Sequence, residues 1–557
     1  MHAVLTTLNA RYVHAATAPF CLLSGLRTYL SPGIGAEVIE GTINEPTEAV
    51  AARILAASPT LVTLSVYIWN RRKSAELITS LREKAPALYI LAGGPEAEHD
   101  AEAFLSECPA NAVLCGEGER AIAEVYSALS EGRDPACVAG MVTRTEDGFG
   151  RIPQKAPDCV PPSAVIPEYL AAVHGRIAYL ETSRGCPFSC AFCLSGRRES
   201  PLRYYPVERA KSELLALAGA GVRTVKLVDR TFNADADRAR ALFRFLIDEY
   251  GKRIPKGVSF HFEIAGDLLT DADFSLLAEA PVGLIRLEIG IQSFRDDTLR
   301  AISRRPNATH VADAVARLTA LGNIEVHIDL IAGLPHEDIT SFANGFDHAA
   351  ALKPAMLQLG FLKLLHGTAL AADASIRRDA APPYEVIATS TMSEEDLALL
   401  RVTADATDRL YNSGRFRRTL DYLFGACALS PFRVLSGFGA RVTGAGLSLS
   451  AYTDAFFAYA AALGGVDSAC LRDLMLCDRL SSCNDHTLPK SLYVYDKRLA
   501  KVKKTMQNKN GAAGDTALLG IGILYTTGQL AVVRYDVRHP ITREYPVALY
   551  PINSLDL

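Results

Sequence analysis

The sequence predicts an α/β protein with an N-terminal Rossmann-like domain, a partial (β/α)6 barrel and a mostly helical C-terminal domain. Three observations carry this. Short apolar runs alternate with helical stretches from Met1 to about residue 130, the alternation restarts at Ile177, and it stops beyond about Leu370. A chain of 557 residues is expected to divide into two to four domains. The expected boundaries are 1–130 for the first domain, 131–172 for a linker, 173–370 for the barrel and 371–557 for the α-rich tail.

In the first domain, Ala3 to Leu8, Ala36 to Gly41, Thr60 to Tyr67, Leu88 to Gly94 and Ala112 to Glu119 read as buried strands. Pro19 to Leu30, Glu45 to Ala57, Lys73 to Lys84 and Glu119 to Leu129 read as crossover helices. Such an open parallel sheet holds its ligand beyond the carboxyl ends of the strands. Residues 131 to 170 are rich in Pro, Gly and charge and suit an interdomain connection. Six further strands are expected at Ile177 to Ser183, Thr224 to Asp229, Ser259 to Ala265, Leu284 to Ser293, Glu325 to Pro335 and Met356 to Leu365, too few to close an eight-stranded barrel. In the tail, Met392 to Asn412 and Ala451 to Leu463 look helical, and Gly528 to Val537 with Arg543 to Ile552 suit an antiparallel pair.

A net charge of -4 with 22% charged residues gives no electrostatic reason to expect nucleic-acid binding. The N-terminus has no secretory pattern and no stretch approaches 18 uninterrupted apolar residues, so a cytoplasmic protein with no membrane span is expected. Twelve cysteines in that setting suit free thiols and metal ligands better than a disulfide framework.

The segment "RGCPFSCAFC", Arg184 to Cys193, places Cys186, Cys190 and Cys193 in a C-x3-C-x2-C spacing directly after the first barrel strand. Four thiolates saturate a structural zinc or an ordinary iron-sulfur cluster; three leave one metal coordinate open for a small ligand. Zinc is the alternative for such a group, but no fourth Cys or His follows nearby, the next histidine being His261. Spacing and place resemble the signature of the radical S-adenosylmethionine (SAM) superfamily. The resemblance implies a 4Fe-4S cluster on Cys186, Cys190 and Cys193, SAM on the fourth iron, and Phe192 as the aromatic residue usual beside the last cysteine. It also implies SAM contacts from Asp229, Arg230 and Thr231 after the second strand, Glu263 on the third, and Gly290, Gln292 and Asp329 on the fourth and fifth. Each of these residues alone could be an ordinary polar strand end.

A Rossmann-like domain ahead of such a barrel resembles the cobalamin-binding subclass, in the branch with a C-terminal domain of undefined role. Ser65, Tyr67, Trp69 and Asn70 after the third strand, Gly93 and Gly94 after the fourth, and Gly116 and Glu117 after the fifth match the loops that surround the corrinoid there. Small residues let backbone amides approach a bulky ligand. No Asp-x-His-x-x-Gly motif is present, so the resemblance implies cobalamin held without a histidine ligand, with Tyr67, Trp69 and Asn70 over the lower corrin face. The alternatives are that Trp69 only packs, or that the domain is a scaffold without ligand.

The implied activity is cobalamin-dependent methyl transfer to a small molecule, with an electron donor such as flavodoxin or ferredoxin. A radical rearrangement or cyclisation remains open. So does direct transfer of the 3-amino-3-carboxypropyl group of SAM to a thiophilic substrate such as trivalent arsenic, if Cys470, Cys477 and Cys483 converge. A non-enzymatic corrinoid carrier would not need the intact three-cysteine loop.

Overall fold

The computed structural model describes residues 1–552 apart from 31–32, 156–158, 196–201, 306, 485–486, 500–501 and 503–517. The chain forms two compact units. The first contains residues 1–287, 301–304 and 362–387; the second contains 288–300, 305–361 and 388–557.

The first unit opens with a seven-stranded sheet. Strands β1 (His2–Asn9), β2 (Gly35–Thr42), β3 (Leu61–Ser65), β4 (Tyr89–Gly93) and β5 (Ala112–Leu114) are parallel, in the order β2-β1-β3-β4-β5. Val4, Val62, Leu64, Ile90 and Val113 face one core, while Ala3, Leu5, Leu61, Leu91 and Ala112 face the other. Both faces are covered by helices, which is why these strands read as continuous apolar runs rather than alternating ones. The order reverses between β1 and β3, and that switch opens a crevice at the carboxyl ends.

The stretch expected to be a linker departs from that expectation. Its strands β6 (Met141–Thr145) and β7 (Gly148–Arg151) extend the sheet in antiparallel sense beyond β5. They turn tightly at Glu146-Asp147, and Gly148, the first residue of β7, has φ +131°, a conformation that favours glycine.

The barrel strands follow. In the first unit β8 (Ile177–Leu180) is succeeded by a short antiparallel pair, β9 (Ser183–Arg184) and β10 (Arg203–Tyr204). Then come β11 (Thr224–Leu227) and β12 (Ser259–Ile264), parallel and adjacent in chain order. Strand β13 (Ile285–Gln292) begins in this unit, where Phe260 N donates to Leu284 O just ahead of it at 2.7 Å. In the second unit β14 (Glu325–Ala332) pairs in parallel with β15 (Met356–Phe361). Among the described residues the six expected barrel strands are present, three in the first unit, two in the second, and β13 running from one into the other.

The tail of the second unit is mainly helical. The helix Glu394–Ala406 runs on into a π-helical turn at Thr407–Asn412, and a second π turn spans Tyr422–Ala426. The antiparallel pair expected near its end exists as Gln529–Arg534 with Val547–Pro551, and an additional strand, Leu519–Leu524, joins on the other side of Gln529–Arg534. No described helix is long and apolar enough to cross a membrane.

Candidate active site

The loop after β8 carries the three cysteines, and its backbone is pinned at both sides. Ala191 N donates to Ile302 O and Leu370 N to Ala191 O, both at 3.0 Å, and Cys193 N donates to Cys190 O at 3.0 Å. Cys186 Sγ lies 3.6 Å from Thr231 Oγ1, and Cys193 Sγ accepts from Ser195 N at 3.4 Å. Burial raises the Cys190 thiol above its ordinary range, and Cys193 and Cys186 add to the rise while Arg304 opposes it. A thiol raised in this way beside two further sulfurs suits a cationic centre, which offsets the charge that thiolates bring. The trio therefore fits an iron-sulfur cluster. Phe192 lies half-buried in the same loop.

Asp229, expected as a SAM contact, is fully committed to holding this loop. Its carboxylate accepts from Thr182 N at 2.9 Å, Thr182 Oγ1 at 2.7 Å and Ser183 Oγ at 2.5 Å. Burial raises its pKa, and these hydrogen bonds work against that rise. Thr231 is buried with its hydroxyl bonded to Arg230 O, and Asn233 exchanges two 2.9 Å hydrogen bonds with Ala265, tying the ends of β11 and β12. Glu263 stands 3.9 Å from Lys226 Nζ and 4.0 Å from a half-exposed Arg230. In the second unit, Gly290 and Gln292 lie on β13, Gln292 with φ +69°, and Asp329 on β14 accepts from Gln358 Nε2 at 2.6 Å.

A cavity of about 520 Å³ lies wholly within the first unit. One wall is formed by Ser65, Tyr67, Gly93, Gly94, Gly116 and Glu117 at the ends of β3, β4 and β5. The other comes from Glu181, Ser183, Arg184, Gly185, Leu194 and Arg230 around the cysteine loop. The glycines are required by geometry. A Cβ on Gly94, at φ +92°, would stand 2.7 Å from Val66 O, and one on Gly116, at φ +89°, would collide with the Gln154 side chain.

Two residues expected at this wall are not part of its lining. Trp69 is 48% exposed, stacks on Tyr67 with centroids 4.5 Å apart at 6°, and donates through Nε1 to Leu8 O at 3.3 Å. Asn70 is completely buried and holds the loop, donating to Thr7 Oγ1, Leu8 O and Ser65 O while accepting from Tyr67 N. Tyr67 is thus the member of the trio that reaches the cavity.

Sequence reasoning named Glu117 but missed the rest of the charged frame of this cavity. Arg184 bonds Glu117 at 2.7 Å, Glu119 at 2.8 Å and Glu181 at 2.7 Å, Arg203 also pairs with Glu117, and Tyr205 donates to Glu181 at 2.7 Å. Burial alone would lower the Arg184 pKa, but Glu181 and Glu119 outweigh it and hold the guanidinium charged. Cys21, also on the wall, is held as a neutral thiol by burial and by Glu119 and Glu181. The available signals were Arg184 abutting the cysteine motif and the glutamates of "CGEGE". Apolar walls from Leu22, Leu64, Leu91 and Ile122 beneath a rim of paired carboxylates and guanidinium groups suit a flat apolar macrocycle fringed by amides, which both donate and accept. No histidine lines the cavity among the described residues. The cavity therefore fits a corrinoid without an imidazole ligand.

The tail cysteines do not converge as a trio. Cys470 and Cys477 lie two turns apart on the helix Ser468–Ser482 and Cys483 caps its far end, while Cys477 is buried against Leu476, Leu524 and Ala531.

Comparison with known proteins agrees with this geometry. Residues 26–126 match the B12 binding domain, residues 180–347 the radical SAM superfamily, and residues 376–518 a domain family of unknown function, DUF4080. The 2-(S-pantetheinyl)-carbapenam-3-carboxylate methyltransferase of Streptantibioticus cattleyicolor is 29% identical over 315 residues, covering 52% of this chain and 44% of the relative. The cobalamin-dependent radical SAM methyltransferase TokK of Streptomyces tokunonensis is 29% identical over 320 residues, covering 54% and 46%. The chain thus spans less than half the length of these curated relatives. The structure of the cobalamin-dependent SAM radical enzyme OxsB with aqua-cobalamin and SAM bound shares the fold, with TM-score 0.61 at 15% identity over 85% of this chain and 78% of that one. In order along the chain, then, its segments are similar to the B12 binding domain, to the radical SAM superfamily and to DUF4080.

Proposed function

We propose that the protein is a cobalamin-dependent radical SAM methyltransferase acting on a small-molecule substrate, fed by a flavodoxin- or ferredoxin-type electron donor. One observation carries this reading. The cavity wall built from the ends of β3, β4 and β5 continues into Glu181–Gly185, the residues that immediately precede Cys186. Corrinoid pocket and cluster loop are therefore parts of one piece of structure.

In this reading Cys186, Cys190 and Cys193 hold the cluster, and Asp229, fixed by Thr182 and Ser183, sets the loop that presents them. Gly94 and Gly116 let the strand-end turns of the wall pack against Val66 and Gln154, Tyr67 stacks on Trp69 and lines the wall, and Arg184 orders the glutamates around the rim. Glu263 and Arg230 are proposed for the SAM side. When bound, the cluster supplies the electron that splits SAM and the corrinoid relays its methyl group.

The test is product analysis after anaerobic reconstitution with cobalamin, SAM and a strong reductant. The expected products are 5'-deoxyadenosine and S-adenosylhomocysteine, with 5'-deoxyadenosine lost in Cys190→Ala. Accumulation of 5'-methylthioadenosine in place of both would overturn methyl transfer in favour of 3-amino-3-carboxypropyl transfer.

A further inference from the structure

One buried cation of the first unit stands where helix chemistry disfavours it. Arg238 is the third residue of the helix Ala236–Glu249, whose capping residue Asp235 accepts from Arg238 N at 3.0 Å. The first turn of a helix favours carboxylates and opposes a cation. The Arg238 side chain is nevertheless buried, the residue being only 7% exposed, with its guanidinium 5.4 Å from the centre of the Tyr204 ring. Its Nε and Nη1 are buried with no hydrogen-bond partner among the described residues. A charge and two donors buried at that cost, against the helix, mark a place where local preference yields to function.

The bonds that Arg238 does make show what it holds. Nη2 donates to Thr182 O at 3.0 Å and to Tyr205 O at 3.4 Å, and Tyr205 N also donates to Thr182 O at 3.0 Å. These two residues stand at the open end of the ribbon formed by β9 and β10, where Ser183 pairs with Tyr204 and Arg184 with Arg203. The chain that joins the two strands carries Cys186, Cys190 and Cys193. Thr182 is thus gripped on both sides, its N and hydroxyl by Asp229 and its carbonyl by Arg238. Burial raises the Asp229 pKa, and Ser183, Thr182 and Arg238 work against that rise; burial lowers the Arg238 pKa, and Asp229 leads the groups that oppose it. Each of the two buried charges therefore helps to sustain the other.

We propose that Arg238 is a positioning residue for the cluster, clamping the Thr182 and Tyr205 carbonyls at the root of the cysteine loop while Asp229 holds the Thr182 amide. The inference rests on the reading that Cys186, Cys190 and Cys193 bind a 4Fe-4S cluster. Arg238 does not line the cavity, so it acts through Thr182 and the loop rather than on a bound ligand.

The test compares wild type, Arg238→Lys and Arg238→Gln as full-length proteins reconstituted anaerobically with iron and sulfide. Lysine keeps the charge but lacks the fork that spans two carbonyls; glutamine keeps a donor and loses the charge. The readouts are iron release to a ferrous chelator and the electron paramagnetic resonance line shape of the dithionite-reduced cluster, beside circular dichroism of the iron-free chains. Release is expected to be several-fold faster in Arg238→Gln and intermediate in Arg238→Lys, with an altered line shape in both and wild-type circular dichroism. Wild-type release and line shape in Arg238→Gln would overturn the proposal. So would Arg238→Lys holding iron no better than Arg238→Gln, or iron loss that tracks loss of secondary structure in the iron-free chains. Failure of the wild-type chain to take up iron would instead overturn the cluster reading beneath it.

Discussion

Arg184 is the residue on which the cavity's electrostatics turn, because it is bonded to three glutamates from two parts of the first unit. Removing one member of a buried ion network leaves the others desolvated without a partner, which costs about 3–5 kcal/mol. Arg184→Met is therefore expected to lower the first thermal transition by several degrees and to reduce corrinoid retention, whereas Arg184→Lys restores charge but not the forked geometry and recovers part of both. Glu337 offers a test in the second unit. It is buried, its carboxyl accepts from Ser293 Oγ at 2.6 Å, and burial pushes its pKa up to about 7. A carboxyl whose folded pKa exceeds its unfolded value binds its proton more tightly in the folded state, so stability is greatest at low pH and falls as pH rises from about 4.3 towards 7. Glu337→Gln removes that slope. Denaturation midpoints at pH 5 and 7.5 are expected to shift in favour of the variant at the higher pH, by on the order of 2–3 kcal/mol.

At the scale of elements, the strand-end turns decide whether a macrocycle can be held. Gly94→Ala forces a side chain into a left-handed position against Val66 O. It is expected to destabilise the domain by about 2 kcal/mol and to lower corrinoid content severalfold, measured by visible absorbance per chain. The strands flanking these turns were legible because both their faces are buried: Leu61, Val62 and Leu64 surround a single buried Thr63, and Ile90, Leu91 and Ala92 form an uninterrupted apolar run. The cysteine loop was legible from its spacing alone. The hairpin Met141–Arg151 was not, since its strands are four or five residues long and carry Gly, Thr and Arg, although Asp147-Gly148 was a usable turn signal. Trp69 illustrates a different limit. A strand-end aromatic can face a ligand or stack on the residue that does, and only the fold shows that Tyr67 is the one lining the cavity. The role of Asp229 was hidden for a related reason, because its partners Thr182 and Ser183 lie more than forty residues earlier in the chain.

On the scale of the whole molecule, three segments match known families: one the B12 binding domain, one, with the three cysteines, the radical SAM superfamily, and one DUF4080. The first two share the cavity whose walls run from Ser65 through Gly94 to Arg184, and the proposed methyl transfer depends on that cavity being a corrinoid site. The most direct measurement is metal and corrinoid quantitation on full-length protein reconstituted anaerobically with iron, sulfide and cobalamin. About four irons and one corrinoid per chain are predicted, the corrinoid reduced severalfold and the iron retained in Gly94→Ala. Four irons with no corrinoid in the wild-type chain would contradict the account, leaving the N-terminal domain a scaffold for a radical SAM barrel that works without cobalamin.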